Sequence, residues 1–308
     1  MAPATTPRGR DLTAGLGTRP ARLLFVHAHP DDETLATGVA MAHHVLAGDE
    51  VHLLTCTLGE EGEVIPAELK HLELEQGAPR PADQQDPLAA VRQEELRRAM
   101  AVLGVTSHQV LGADPARGVT SRYRDSGMAG TPSAAHPRAF VRADPGEAAG
   151  LVAAQVRRLR PDVVVTYDAH GGYDHPDHIQ THRVTVAAVA ALPERERPLL
   201  FGTFTPRSWA EEDRGWVREH VEAGADGILL PEADAAYPSS VVPDEVVTHR
   251  ILDAAAEARR TRALREHRTQ VRVFDGYYAL SNDLAARLSG REGYAVLDPT
   301  SGAPVDAR

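Results

Sequence analysis

Short apolar runs alternate with amphipathic stretches through the first two thirds of the chain. Residues 22–28, 51–57, 107–112, 162–167 and 199–204 predict five strands. Between them, residues 33–47, 88–103, 146–159 and 176–192 predict helices. In the first of these, Leu35, Val39, Ala42, His43 and Leu46 recur near the 3.6-residue period, and Gly48 supplies a stop. Runs such as Val163-Val164-Val165 are apolar without alternation, as expected of parallel strands covered on both faces. The pattern predicts an α/β fold with a doubly wound, mostly parallel, Rossmann-like sheet, for which the common strand order is 3-2-1-4-5.

Three long insertions break the alternation, at 59–87, 113–145 and 206–242. They are rich in Pro, Gly, Asp and Glu, and loops of this length in a compact enzyme usually form sites or stay disordered. Beyond them a helix is expected over 250–267, and 277–297 leaves room for short strands. The predicted organisation is a disordered N-terminal tail (1–20), a Rossmann-like catalytic core (21–205) and a smaller C-terminal α+β part (206–308) packed on the same domain.

The chain has 308 residues, enough to bury a large core without staples. It has one cysteine, so neither an intramolecular disulfide nor a thiolate cage is available, and Cys56 lies in an apolar strand where a buried thiol is expected. A net charge of −11 speaks against nucleic acid as a partner. No segment reaches the roughly 18 apolar residues of a membrane span, and the N-terminus lacks the apolar stretch of a signal peptide. The expected location is the cytoplasm and the expected partner a small molecule; oligomeric state is not encoded in these features.

The chemistry gathers at the ends of two strands. Strand one runs into Ala28-His29-Pro30-Asp31-Asp32-Glu33, and strand four is followed by Tyr173-Asp174-His175-Pro176-Asp177-His178. In the 3-2-1-4-5 order these strands are neighbours, and their carboxyl ends flank the crevice where strand order reverses. His29 and His178 can then meet, and two histidines with one carboxylate leave coordination positions open for water and substrate. Asp31 and Asp32 are adjacent, so one can ligate while the other faces the water; spacing alone does not say which. On its own, His29-Pro30-Asp31-Asp32 also suits an ordinary helix N-terminus, and only the second cluster makes that blander reading weak. His27 reads as a core histidine. His182 reads as packing, and Asp168 and Asp174 as loop formers. No Walker A, Gly-x-Ser-x-Gly or Gly-x-Gly-x-x-Gly motif competes.

The Ala-His-Pro-Asp-Asp-Glu motif with a later Pro-Asp-His resembles the PIG-L/LmbE-like metal-dependent N-deacetylases. Thr57-Leu58-Gly59-Glu60-Glu61-Gly62-Glu63-Val64, Tyr123-Arg124-Asp125-Ser126-Gly127-Met128 and Gly171-Gly172-Tyr173 are similar to the branch serving mycothiol biosynthesis. The resemblance runs from about Leu23 to Thr205 and returns around Thr269-Gln270-Val271. It implies removal of acetate from N-acetylglucosaminyl-inositol, with mycothiol S-conjugate amidase as the sister activity. A non-catalytic sugar-binding module with a structural metal is the alternative of another class. By the same resemblance His29, Asp32 and His178 hold one Zn2+, with Fe2+ an alternative. Asp31 is the general base, and Tyr173 and His175 polarise the carbonyl. Arg92, Asp125 and Glu63 contact substrate, with Arg124 and Ser126 beside them. Asp177 orients a ligand imidazole or the base.

Overall fold

The computed structural model describes residues 11–16, 20–74 and 86–305. Strands β1 (Arg22–His27), β2 (Glu50–Thr55), β3 (Ser107–Val110), β4 (Val163–Thr166) and β5 (Leu199–Pro206) alternate with helices α1 (Asp32–Leu46), α2 (Pro87–Leu103), α3 (Pro145–Leu159) and α5 (Pro176–Ala190). A single turn, α4 (Gly171–Asp174), precedes α5. The C-terminal third adds α6 (Arg207–His220), β6 (Val241–Val242), β7 (His249–Leu252), α7 (Ala254–Leu264), β8 (Arg272–Val273), β9 (Tyr277–Ala279), β10 (Ala285–Arg287) and β11 (Arg291–Val296). The main sheet runs β3-β2-β1-β4-β5-β11-β7, with β6 alongside the end of β5. Its first five strands are parallel and carry the expected 3-2-1-4-5 order. β11 is antiparallel to both β5 and β7. A separate antiparallel sheet has the order β10-β9-β8.

Alternation along β1 builds a core on each face of the sheet. Leu24 and Val26 pack with Leu54, Val164, Val152 and Val184 under α3 and α5. Leu23 and Phe25 pack with Leu53, Val163, Val165, Val39 and Leu96 under α1 and α2. Helix starts follow capping chemistry. Asp144 accepts from the Glu147 amide with Pro145 in the first turn, and Asp253 accepts from the amides of Ala255 and Ala256.

Three expectations shift. The predicted helix over 250–267 is confined to Ala254–Leu264, because Asp253 caps it and the residues before it form β7 against β11. The 206–242 insertion contains α6; its charges are used, since Arg291 donates to Glu212 and Asp213 (2.7 Å each) and Arg287 to Asp213 (3.0 Å). The N-terminal stretch lies partly outside the described residues, but Leu12 within it is fully buried in the α1 and α2 core, because it is apolar and Asp11 bonds back to Thr13. Among the described residues no helix is long and apolar enough to cross a membrane.

Helix α1 carries an unusual insertion of charge. The carboxylate of Glu292, from β11, accepts from the backbone amides of Val39 and Ala40 (2.8 Å each) and from the Tyr294 hydroxyl (2.6 Å). The Arg260 guanidinium, from α7, donates to the carbonyls of Thr34 and Leu35 (3.1 Å each). These backbone groups lie inside a helix that remains continuous from Asp32 to Leu46, so Glu292 and Arg260 give them second partners. Gly38 makes room: a Cβ there would stand 2.6 Å from Arg260 Cγ. Gly38→Ala is therefore expected to cost about 1–3 kcal/mol, the usual scale for forced overpacking, read from the shift of the denaturant midpoint.

Candidate active site

Three donor atoms converge at the carboxyl ends of β1 and β4. His29 Nδ1 and Asp32 Oδ2 are 3.2 Å apart, His178 Nε2 and Asp32 Oδ2 are 3.2 Å apart, and the two imidazole nitrogens are 3.3 Å apart. Ligands about 2.0–2.1 Å from a tetrahedral zinc stand about 3.3–3.4 Å from one another, so the triangle has the size of one face of such a site. The outer nitrogens decide the tautomers. His178 Nδ1 donates to the Gly171 carbonyl (3.0 Å), which leaves the lone pair on Nε2. His29 Nε2 faces Asp177 Oδ2 (3.3 Å) and Asp125 Oδ1 (3.5 Å), which turns Nδ1 inward; burial pushes this imidazole down, but Asp125, Asp177 and Asp32 outweigh it and raise it well above its ordinary range, so a cation at Nδ1 has to displace a proton. Gly171 is required for the close approach: a Cβ there would lie 2.5 Å from His178 Cβ and 2.7 Å from the Ile179 nitrogen. Burial pushes the Asp32 carboxyl up, but His178 and His29 outweigh it and hold it well below the usual carboxylate range.

Asp31 faces the same space from the start of α1. Burial raises its carboxyl to about 6, against the opposing Arg92 guanidinium 3.2 Å away. His175 completes a ring of three imidazoles whose ligand atoms lie within 4.8 Å of one another. Its Nδ1 accepts from the Asp177 backbone amide (3.2 Å), so a ring proton sits on Nε2. Burial, then the facing His29 and His178, lower it to about 3, which favours the neutral ring. Tyr173 is 53% exposed, with its ring edge-on 5.0 Å from His178.

Other sequence-predicted residues spend their polar atoms differently. Arg92 donates to the carbonyls of Gly59 (2.6 Å) and Pro30 (2.5 Å) as well as to Asp31. Asp125 accepts from Gly127 (2.8 Å) and Glu61 (3.2 Å) amides and faces His29; burial pushes it up, but His29 holds it far below its ordinary range. Both line the cavity, yet each first serves a residue of the centre. Arg124, read beside them as a sugar contact, is fully buried and paired with Glu61 and Asp86. Ser126 donates its amide to Asp177 (2.8 Å) and accepts from Val141 (3.0 Å), so it too serves the scaffold. Glu63 is exposed at the cavity rim. His27 bonds Thr37 and His182 bonds the Tyr167 carbonyl, both as packing histidines. Burial pushes the Cys56 thiol up to about 12, so it is inert.

The centre opens into a cavity of about 880 Å³. One side is acidic, from Glu61, Glu63, Glu73 and Asp125; the other is built by Thr205, Trp209, Tyr278 and Ser289.

The family model described as PIG-L: GlcNAc-PI de-N-acetylase matches residues 24–189. The chain belongs to this family. His29, Asp32 and His178 all fall within the matched span, whereas the Trp209–Ser289 side of the cavity lies beyond it. A relative from Thermomonospora curvata is 44% identical over 299 residues, covering 93% of this chain and 94% of its own. One from Actinosynnema mirum is 45% identical over 295 residues, covering 94% and 96%. Both are named 1D-myo-inositol 2-acetamido-2-deoxy-alpha-D-glucopyranoside deacetylase. The solved teicoplanin deacetylase Orf2 in its zinc-inhibited form shares the fold, with a TM-score of 0.50 at 15% identity over 90% of this chain and 99% of its own.

One residue of the centre carries no motif in the sequence. Tyr167 donates its hydroxyl to Asp32 (2.8 Å) and accepts from the Ala28 amide (2.9 Å), tying β4 to the turn after β1. A tyrosine ending an apolar strand was the only signal available.

Two outcomes follow from this geometry. His178→Ala is expected to abolish bound metal, measured by elemental analysis, since three ligands leave no redundancy. Arg92 lowers the Asp31 carboxyl, so Arg92→Met is expected to move the acid limb of the kcat/KM profile to higher pH while Arg92→Lys restores it. In both, activity falls as pH drops through the Asp31 value because the protonated carboxyl cannot accept a proton. An unmoved limb in Arg92→Met would separate the limb from Asp31.

Proposed function

We propose that the protein hydrolyses the acetamide of N-acetylglucosaminyl-inositol, releasing acetate and the free amino sugar. The observation that carries this reading is the His29–Asp32–His178 triangle with the Asp31 carboxylate beside it, both opening into one cavity. The names of the relatives from T. curvata and A. mirum support the same substrate.

His29, Asp32 and His178 would hold one divalent cation, which we read as zinc, with Fe2+ the alternative for two histidines and a carboxylate. When bound, the cation supplies Lewis acidity and lowers the pKa of water toward about 7. Asp31 accepts the proton of the attacking water; its value near 6 suits a base that is ionised at neutral pH. Nε2–H of His175 and the Tyr173 hydroxyl donate to the developing oxyanion. Because His175 stays neutral, Asp31 is the group that returns a proton to the leaving amine. Asp177 and Asp125 keep the His29 ring turned. A purely structural metal site would have no use for the spare carboxylate of Asp31, which disfavours a binding module. We place the reaction in the cytoplasm.

The deciding experiment incubates purified protein with N-acetylglucosaminyl-inositol or a mycothiol S-conjugate, with and without chelator. Acetate release from the first that chelator abolishes supports the proposal; faster cleavage of the second would reassign the chain to the amidase. Tyr173→Phe is expected to lower kcat about 10- to 10³-fold, the range bounded by single oxyanion donors, with KM and metal content unchanged. An unaltered kcat would remove the phenol from the reaction.

A further inference from the structure

Asp31 is the N-cap of α1, yet its side chain makes no capping bond. An N-cap aspartate ordinarily turns its carboxylate back on the free amides of the first turn. Here φ is 121° and ψ −34°, a strained conformation for a residue with a Cβ. The backbone still serves the helix, since the Asp31 carbonyl accepts from Thr34 (3.0 Å) and Leu35 (2.9 Å). Only the carboxylate is released, toward Arg92 and the cavity.

Something must hold that strain, and Glu33 is placed to do so. Its Oε2 accepts the Asp31 backbone N–H (3.0 Å), much as the acidic member of a capping box reaches back to the N-cap amide. Its Oε1 is fixed by the Thr34 hydroxyl (2.5 Å) and by His267 Nε2 (3.0 Å). Glu33 and His267 are both 0% exposed, and neither lines the cavity. His267 Nδ1 is buried without a hydrogen-bond partner, so all of the ring's side-chain hydrogen bonding is directed at the Glu33–Thr34 side.

We propose that Glu33 and His267 are positioning residues that hold the turn so that the Asp31 carboxylate is kept off the helix end and free to accept a proton. The proposal rests on Asp31 being the base. It explains why an acidic residue is buried two positions beyond the base without touching metal or substrate, and why a histidine more than 200 residues away is packed beneath it.

The test uses metal-loaded full-length protein. Glu33→Ala is expected to lose about 10²-fold in kcat, the scale of a general base put out of position, with KM within about twofold and metal content unchanged. In an Asp31→Asn background the same substitution is expected to cost nothing further, because Glu33 acts only through that carboxylate. His267→Gln, which keeps a donor, is expected to retain more activity than His267→Ala. Glu33→Gln keeps an acceptor for the Asp31 amide and is expected to retain at least about a tenth of turnover; it serves if Glu33→Ala does not fold. Equal losses in the wild-type and Asp31→Asn backgrounds, or loss of metal in Glu33→Ala, would overturn the proposal. If Asp31→Asn turns over normally, the base assignment is what fails. The hold itself is then read from a crystal structure of Glu33→Ala: residue 31 relaxed to an ordinary φ with its carboxylate on the helix end supports it, and an unchanged turn overturns it.

Discussion

Two imidazole lone pairs and a carboxylate oxygen aimed at one point repel one another unless a cation lies between them. That constraint organises the centre. The Gly171 carbonyl and the Asp177 and Asp125 carboxylates engage the outer nitrogens, so each ring turns its other nitrogen toward that point. Tyr167 and the His29 amide hold the shared oxygen of Asp32 in the same way. Each of these partners sits on a different segment: the turn after β1, the loop after β3, the end of β4, the short turn α4 and the start of α5. The parallel sheet brings them together because β1 and β4 are adjacent and both end at the crevice.

Much of this was legible in the sequence because it rests on local signals. Apolar runs marked the five parallel strands, and the chemistry sits within a few residues of two of their ends. His29, Asp32 and His178 could therefore be paired by topology. What was not legible depends on side chains meeting across long separations. Arg92 and Asp125 carry charges that suit a sugar equally well, and only their bonds to Asp31 and toward His29 show that they serve the centre first. The Glu33–His267 contact joins opposite ends of the chain, which no periodicity reports. Helix α6 was hidden because its sequence is mostly charged; ion pairs to Arg287 and Arg291, and Val217 against Ile228 and Ala285, hold it in place. β7 was absorbed into a helix because Asp253, a capping residue, reads as any other acid until its bonds are seen.

The cavity divides along the same line. Its acidic side is built from the loops after β2 and β3, within the span shared by the family, where the carboxylates already hold protein partners or stand at the rim. The opposite side draws on α6, α7, the small antiparallel sheet and the ends of β5 and β11. Its charged members, Asp213, Arg260, Arg291 and Glu292, are engaged by other protein groups, and Thr205, Tyr278, Ser281 and Ser289 add hydroxyls to its lining. A hydroxyl-bearing surface there, its charges already engaged, selects by shape and hydrogen bonding rather than by net charge.

The charged wedge in α1 ties the helix that carries Asp32 to the far end of the chain. The three residues of the centre all lie before residue 179, but Arg260 and Glu292, which bond the backbone of α1, come far later in the chain. Without them the amides of Val39 and Ala40 and the carbonyls of Thr34 and Leu35 lack these partners. A chain cut before β11 would keep the whole His29–Asp32–His178 motif but lose the Glu292 carboxylate that the α1 amides bond.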